Sequence, residues 1–163
     1  MADDAKIIDE AVEKFRSLME SQLARAKKIK EDKDFTDYDA LDTIVIGICG
    51  GDGIGPIFRE NTEGGYAIGS YGLNITDDLA VDFTVATQEG CERIARLAYE
   101  YAKKNNKGKV SIITKANIIK TTDGKFLKTA QKIGEEYPDI VTDDWYIDIT
   151  TAKLIDPARR KDF

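Results

Sequence analysis

Three polar residues stand where their side chains could do chemistry. Arg59 lies beside a loop rich in glycine, and arginine suits bidentate binding of a carboxylate, although a surface ion pair is the simpler interpretation. Lys115 lies where a predicted strand meets a turn, and a desolvated lysine there can act as a base, although a solvated lysine is the simpler interpretation. Asp148 interrupts an apolar run, which indicates a metal or a cation partner, or simple outward alternation.

A glycine-rich turn offers a fourth candidate site. It spans residues 50–56 and follows the apolar, β-branched run Thr43–Cys49, which predicts a buried strand. Backbone amides in such a turn can approach a phosphate. The spacing differs from the dinucleotide-binding fingerprint and no long helix is predicted after it, so a tight turn without a ligand explains it equally well.

Composition limits the chemistry that remains. The 163 residues include no histidine, which excludes Ser-His-Asp and Cys-His catalysis and every histidine metal site. Cys49 and Cys91 lie far apart, so we expect buried reduced thiols in a cytoplasmic protein. The net charge of −6 opposes binding to nucleic acid or to an anionic membrane, and no apolar run is long enough to span a bilayer. Catalysis must use Lys, Tyr, Asp, Glu or Arg.

A long helix is predicted near the start of the chain, over residues 4–31. Its apolar residues follow a heptad spacing from Ile8 to Ile29, with Gln22 as the polar break. Such a seam either pairs with another helix or packs on the body of the protein, and packing is the commoner outcome. We expect it to cover the edge of the 44–48 strand, unless a partner chain pairs there. An acidic linker, 31–42, follows.

Alternating strands and helices are predicted to hold the candidate residues in place. Strands are predicted over 79–85, 109–114 and 145–150, and helices over 88–105, capped by Thr87, and 123–136. Apolar stripes give both helices an inward face, formed by Ile94, Leu97, Ala98 and Tyr101 in the first and by Phe126, Leu127, Ala130 and Ile133 in the second.

Taken together, these motifs resemble one family over residues 43–163. The chain is similar to the metal-dependent β-decarboxylating dehydrogenases, the isocitrate/isopropylmalate dehydrogenase family. The sequence of its Arg-Glu-Asn-Thr-Glu-Gly motif looks more like that of the isocitrate and homoisocitrate enzymes than that of the isopropylmalate enzymes. The resemblance implies a mixed α/β fold, mainly the small dimer-forming domain. It rests on Gly51-Asp-Gly-Ile-Gly-Pro56, Arg59-Glu-Asn-Thr-Glu-Gly64 with Tyr66, Val81-Asp-Phe-Thr-Val85, Glu92-Arg-Ile-Ala-Arg96, Lys115-Ala-Asn-Ile118, Asp123-Gly124 and Tyr146-Ile-Asp148.

The resemblance also implies roles for individual residues. The family oxidises and decarboxylates a small 2-hydroxy acid such as isocitrate, using NAD or NADP with Mg²⁺ or Mn²⁺. Its lysine and metal aspartate reach the active site of the other subunit, so a dimer shares each site. The implied roles are substrate carboxylate binding by Arg59, enolate protonation by Tyr66, abstraction of the hydroxyl proton by Lys115 or by a base to which it relays, substrate and nicotinamide contact by Asn117, cofactor contact by Ile54 and metal ligation by Asp148.

Departures from the family pattern shape the functional expectation. Roughly a hundred family residues are missing between Pro56 and Arg59, by domain-size priors. The segments that supply two more metal aspartates and the adenosine site are not found. We therefore expect a truncated member, inactive alone, that dimerises through the helices over 87–105 and 123–136. The alternative is an NAD- and Mg²⁺-dependent isocitrate dehydrogenase subunit, completed by a full-length paralogue in a heterodimer. An error in the gene sequence is a third explanation.

The expected organisation follows the same resemblance. Residues 1–42 form the helix and linker, and 43–163 form a partial dehydrogenase domain. Within the latter, 43–57 is a remnant of the large domain and 58–163 is the small, dimerising domain.

Overall fold

The computed structural model describes residues 2–31, 56–67 and 72–162. The predicted strand Thr43–Cys49, Cys49 itself, the linker and residues 50–55 of the glycine turn lie outside them. The chain divides into two units, Met1–Ile44 with Thr62–Val85 and Val45–Asn61 with Ala86–Phe163. The elements in chain order are α1 (Ala2–Glu31), β1 (Leu73–Thr76), β2 (Leu79–Val81), α2 (Gln88–Lys104), β3 (Lys109–Thr114), α3 (Thr122–Gly134), β4 (Val141–Tyr146), α4 (Ile147–Ile155) and a 3₁₀ helix (Pro157–Asp162).

The first unit combines the long helix α1 with a small antiparallel hairpin. Strands β1 and β2 pair in the register Leu73↔Val81 and Asn74↔Ala80. Leu18 of α1 is buried, and the Phe15 ring lies 5.4 Å from the ring of Phe83. The predicted helix over 4–31 is therefore confirmed, and one side of it packs within this unit.

The second unit is a β–α–β arrangement, with α2 before it and α4 and the 3₁₀ helix after it. Strands β3 and β4 are parallel, in register from Lys109↔Val141 to Thr114↔Tyr146. Parallel neighbours need a crossover, and α3 provides it. Helix α2 packs against α3. The core that they enclose consists of Ala95, Tyr99, Ala102, Ile112, Ala130, Ile133 and Ile140.

Helix α2 begins and ends as its sequence predicts. The Thr87 hydroxyl accepts a hydrogen bond from the Gly90 amide at 3.0 Å, which satisfies one free donor of the first turn. Lys103 and Lys104 occupy the last turn, where the helix dipole favours positive charge. The buried face of α2 is shifted by one residue from the predicted stripe. Its buried residues include Ala95, Tyr99 and Ala102. Three residues of the predicted stripe are only partly buried, namely Leu97, Ala98 and Tyr101.

The Tyr99 hydroxyl shows how closely the core is packed. It lies 2.8 Å from the Thr142 hydroxyl on β4. A Cβ at Gly134 would lie 2.6 Å from the Tyr99 oxygen and 2.7 Å from the Thr142 oxygen. Glycine at 134 therefore lets α3 approach the strand while the buried tyrosine keeps its hydrogen bond.

The prediction of a strand over 145–150 is wrong. Strand β4 ends at Tyr146, and Ile147–Ile155 is the helix α4. Thr114↔Tyr146 is the last pair of the ladder, so residue 147 has no strand opposite it in β3. The β-branched run there favours a strand locally, and tertiary context overrides that preference. Asp148 consequently lies in the first turn of a helix and not within a strand.

The structure also bears on the strand predicted over 79–85 and on the predicted burial of Cys91. The alternation over 79–85 yields only the short strand β2, after which Val85 forms an isolated bridge with Gly64. Cys91 is a buried thiol, as expected. Among the helices described, none is long and apolar enough to cross a membrane.

Candidate active site

Two predicted site residues meet at one edge of the parallel strand pair. Lys115 directly follows β3, and Asp148 follows β4 by two residues. Because parallel strands end at the same edge, the two side chains lie close together, and ligands of open α/β sheets bind at that edge. Lys115 Nζ lies 2.8 Å from Asp148 Oδ1, and the side chains are 30% and 59% exposed respectively. The cation partner expected for Asp148 is therefore Lys115.

The surroundings of Asp148 favour its charged form. The hydrogen bond from Lys115 and the backbone amides of the first turn of α4 hold the pKa of the Asp148 carboxyl below its ordinary value. An exposed carboxylate of this kind fits Mg²⁺ or Mn²⁺, which prefer oxygen ligands. The described residues include no cluster of three or more His, Cys, Asp or Glu side chains that could hold a metal. Asp148 thus fits the role of one ligand in a larger set.

A network of side chains fixes α4, and with it Asp148, on the strands. Asp143 on β4 accepts from Lys109 Nζ at 2.6 Å and from the Trp145 indole at 2.9 Å. Burial opposes the charge of Asp143, yet these donors keep its pKa below the ordinary value. Lys153 of α4 lies 3.9 Å from the centre of the Trp145 ring, a cation–π contact.

Asp123 is a positioning residue that the sequence did not single out. Its Oδ2 accepts a hydrogen bond from the backbone amide of Lys115 at 2.7 Å. The Lys115 carbonyl in turn accepts from the amides of Ile118 and Ile119 at 2.9 and 2.8 Å. This turn carries Asn117, which is exposed. The available signal was its place at the start of a predicted helix and in the motif Asp123-Gly124, neither of which assigned it a role.

The other predicted site residues lie in different parts of the chain. Arg59 is exposed, and its neighbours hold its segment on α2: Glu60 pairs with Arg93 at 3.3 Å, and the Phe58 ring lies 5.3 Å from that of Tyr101. Tyr66 belongs to the other unit, where it is exposed in the turn after Gly64. Ile54 lies outside the described residues. The structure therefore brings Lys115 and Asp148 into contact and places Asn117 on the turn that follows Lys115.

Comparison with known proteins identifies the family. A model of isocitrate/isopropylmalate dehydrogenase matches residues 46–162. The chain belongs to the isocitrate/isopropylmalate dehydrogenase family. This confirms the resemblance drawn from the motifs, and the mixed α/β fold expected from it.

Individual members of the isocitrate/isopropylmalate dehydrogenase family that match the chain cover 60 to 72% of it. A mitochondrial regulatory subunit of isocitrate dehydrogenase (NAD) from Dictyostelium discoideum is 41% identical over 108 residues, 65% of this chain and 29% of its own length. Homoisocitrate dehydrogenase of Methanocaldococcus jannaschii is 46% identical over 99 residues, 61% of this chain and 27% of its own length.

A solved structure agrees in fold. Isocitrate dehydrogenase from Methylococcus capsulatus aligns with a TM-score of 0.56 and 38% identity over 61% of this chain and 30% of that one. The chain thus spans less than a third of the length of these relatives.

Proposed function

We propose that this chain supplies part of an active site for the metal-dependent oxidative decarboxylation of a 2-hydroxy acid of the isocitrate type. We further propose that it works as a dimerising module and is not a complete enzyme by itself. The observation that carries the proposal is the 2.8 Å contact between Lys115 and Asp148 at the carboxyl edge of β3 and β4. A general base and a metal carboxylate are the two groups that this chemistry requires side by side.

Lys115 is the group that takes the hydroxyl proton of the substrate. In the ion pair it is an ammonium, which donates protons and cannot accept one. A bound Mg²⁺ or Mn²⁺ would take over the Asp148 carboxylate and polarise the hydroxyl oxygen of the substrate. Lys115 would then lose its anionic partner. Once it has released its own proton to solvent, its position on the turn fixed by Asp123 would let the neutral amine accept the hydroxyl proton.

Asn117, Arg59 and Tyr66 complete the proposed set. Asn117 lies two residues after Lys115 on the same turn, where its exposed amide can contact substrate and the nicotinamide of NAD or NADP. Arg59 would bind a substrate carboxylate through its guanidinium fork, and Tyr66 would return a proton after CO₂ has left. We propose that these residues act in one site only when two chains combine, with Lys115 and Asp148 of one chain serving the other.

A second candidate function is that of one subunit in a heteromeric dehydrogenase. Two relatives favour it, because the Dictyostelium discoideum protein is named as a regulatory subunit and a 31% identical Drosophila melanogaster protein as a probable alpha subunit of isocitrate dehydrogenase (NAD). In that case a full-length paralogue would supply the remaining metal ligands and the adenosine site, and this chain would contribute Lys115, Asn117 and Asp148.

The first test is NADH formation from D-isocitrate, NAD and Mn²⁺ by the purified chain, followed by absorbance. We expect no NADH from the chain alone. NADH formation that disappears in Lys115→Met would contradict the proposed incompleteness, because the residues present would then suffice.

The second test asks for complementation. A full-length relative whose equivalent lysine has been replaced by methionine is mixed with this chain, and with its Lys115→Met variant as the matched control. Restored activity with the native chain only would support the shared site. Equal, background activity in both mixtures would reject both candidate functions.

A further inference from the structure

Helix α1 carries an apolar stripe that the rest of its unit covers only in part, since Phe15 lies against Phe83 and is still 43% exposed. Leu18 is buried against the unit, yet the neighbouring apolar face is open, with side chains that are between 43 and 60% exposed. The stripe follows helical spacing over about four turns. It consists of Ile8, Val12, Phe15, Met19 and Leu23.

The charges of α1 are divided between its two halves. Residues 3–13 contain five acidic side chains and one basic side chain. Residues 14–31 contain six basic side chains and two acidic side chains. The helix is therefore negative along its first half and positive along its second, and the apolar stripe runs across both.

This charge division selects one orientation for a second copy. Two α1 helices packed parallel would place acidic half on acidic half and basic half on basic half. Packed antiparallel, each acidic half faces a basic half, and the two helix dipoles also oppose each other favourably. An antiparallel pair of identical helices has two-fold symmetry, so the contact is isologous and closes as a dimer.

We propose that the α1 stripe is the docking site for α1 of a second copy of this chain, in antiparallel orientation. The heptad spacing of Val12, Phe15 and Met19 suits knobs-into-holes packing between two helices. A helix of 30 residues is about 45 Å long, enough for a continuous helix pair. This contact is separate from the proposed active-site dimer, which uses α2 and α3.

The apolar part of the proposal is tested with Val12→Asp/Met19→Asp in the full chain. The matched control is Ser17→Asp, an exposed position on the opposite side of α1. Sedimentation equilibrium measures association, and circular dichroism checks that the helix remains. We expect the stripe variant to form an assembly half the size of the native one, a monomer instead of a dimer or a dimer instead of a tetramer. The dissociation constant of this contact should rise about a hundredfold. The control should associate like the native chain.

Charge reversal tests the orientation. Asp9 and Glu13 lie along one edge of the stripe in the acidic half, and Arg16 and Lys27 follow the same edge in the basic half, by the helical period. Asp9→Lys/Glu13→Lys, or Arg16→Glu/Lys27→Glu, should each weaken association about tenfold. The combination of all four exchanges the charges of the two halves along this edge and should restore native association.

Three results would overturn the proposal. A native chain that stays monomeric at micromolar concentration has no such contact. A stripe variant that associates like the native chain places the dimer elsewhere, on α2 and α3. Failure of the fourfold charge exchange to restore association, with both double variants weakened, rejects the antiparallel arrangement. None of these results depends on enzymatic activity, so the proposed function and this contact can fail separately.

Discussion

The backbone amide of Lys115 donates a hydrogen bond to the carboxylate of Asp123 at 2.7 Å, which joins the end of β3 to the start of α3. A charge-assisted bond of this kind fixes the backbone from which the Lys115 side chain extends. The Lys115 side chain that meets Asp148 is therefore positioned by a residue that itself lies outside the ion pair.

Replacing Asp123 by alanine should loosen this turn. We expect a loss of about 1–3 kcal/mol in the free energy of unfolding, because the Lys115 amide loses an anionic acceptor. Hydrogen exchange of that amide should accelerate in proportion. Asp123→Asn is the control, since it keeps an oxygen acceptor and should lose less. An unchanged exchange rate in Asp123→Ala would show that the bond does not hold the turn.

Gly134 and Gly124 form a matched pair within α3. Gly134→Ala would push a methyl group against the hydroxyls of Tyr99 and Thr142, so we expect a destabilisation of about 1–3 kcal/mol. At Gly124 a Cβ meets nothing within 4 Å, and alanine there should stabilise the helix by about 0.5–1 kcal/mol. Urea unfolding of both variants measures the difference. Equal shifts of the same sign would contradict the packing described for Tyr99.

The stability of the chain at alkaline pH should depend on the ionisation of Tyr137. Burial and the hydrogen bond to Glu100 raise the pKa of Tyr137 from 10.0 to about 12. The unfolded tyrosine ionises first, so the stabilisation is fully present below pH 10 and is lost as the pH rises towards 12. Thermal unfolding across this window should show a falling melting temperature.

Tyr137→Phe should reduce that fall. Tyr99, whose pKa is also raised by burial, remains in this variant and keeps part of the pH dependence. Glu100→Gln is the control for charge, because it removes the acceptor carboxylate and leaves the burial of Tyr137 in place. A Phe variant with the native pH profile would contradict this prediction, because Tyr137 would then contribute nothing to the pH dependence of stability.

Binding of Mn²⁺ should respond in opposite directions to the two members of the site pair. Asp148→Asn removes the carboxylate and should abolish binding at this edge. Lys115→Met removes the cation that occupies Asp148 Oδ1 at 2.8 Å, so the carboxylate is free and binding should strengthen several-fold. Water-proton relaxation with Mn²⁺ reports both. Asp144→Asn, which alters an exposed carboxylate on β4, is the control and should bind like the native chain.

The sequence predicts much of the second unit because local and tertiary preferences agree there. Thr87 caps α2 as expected, and β3 has the predicted bounds. Lys115 was placed at a strand end, where the structure has it. Helix α1 was also predictable, since its heptad spacing extends through the whole element.

The rest depends on contacts that no local pattern contains. The β-branched run after Tyr146 predicts a strand, but the ladder ends there with its partner strand, and Thr150 donates its hydroxyl hydrogen to the Tyr146 carbonyl within a helix. Asp148 was therefore placed on the wrong kind of element, although its cation partner was among the alternatives. Asp123 gave no signal of its tie to Lys115, because that bond links residues eight positions apart through a turn.

The parallel pairing of β3 and β4 has a consequence for how the ion pair arises. Lys115 and Asp148 are 33 residues apart and belong to a single strand–helix–strand segment. Because both strand ends meet at one edge of the strand pair, the contact is determined within this segment. A gene rearrangement that keeps the segment whole would therefore keep the ion pair, whatever sequence surrounds it.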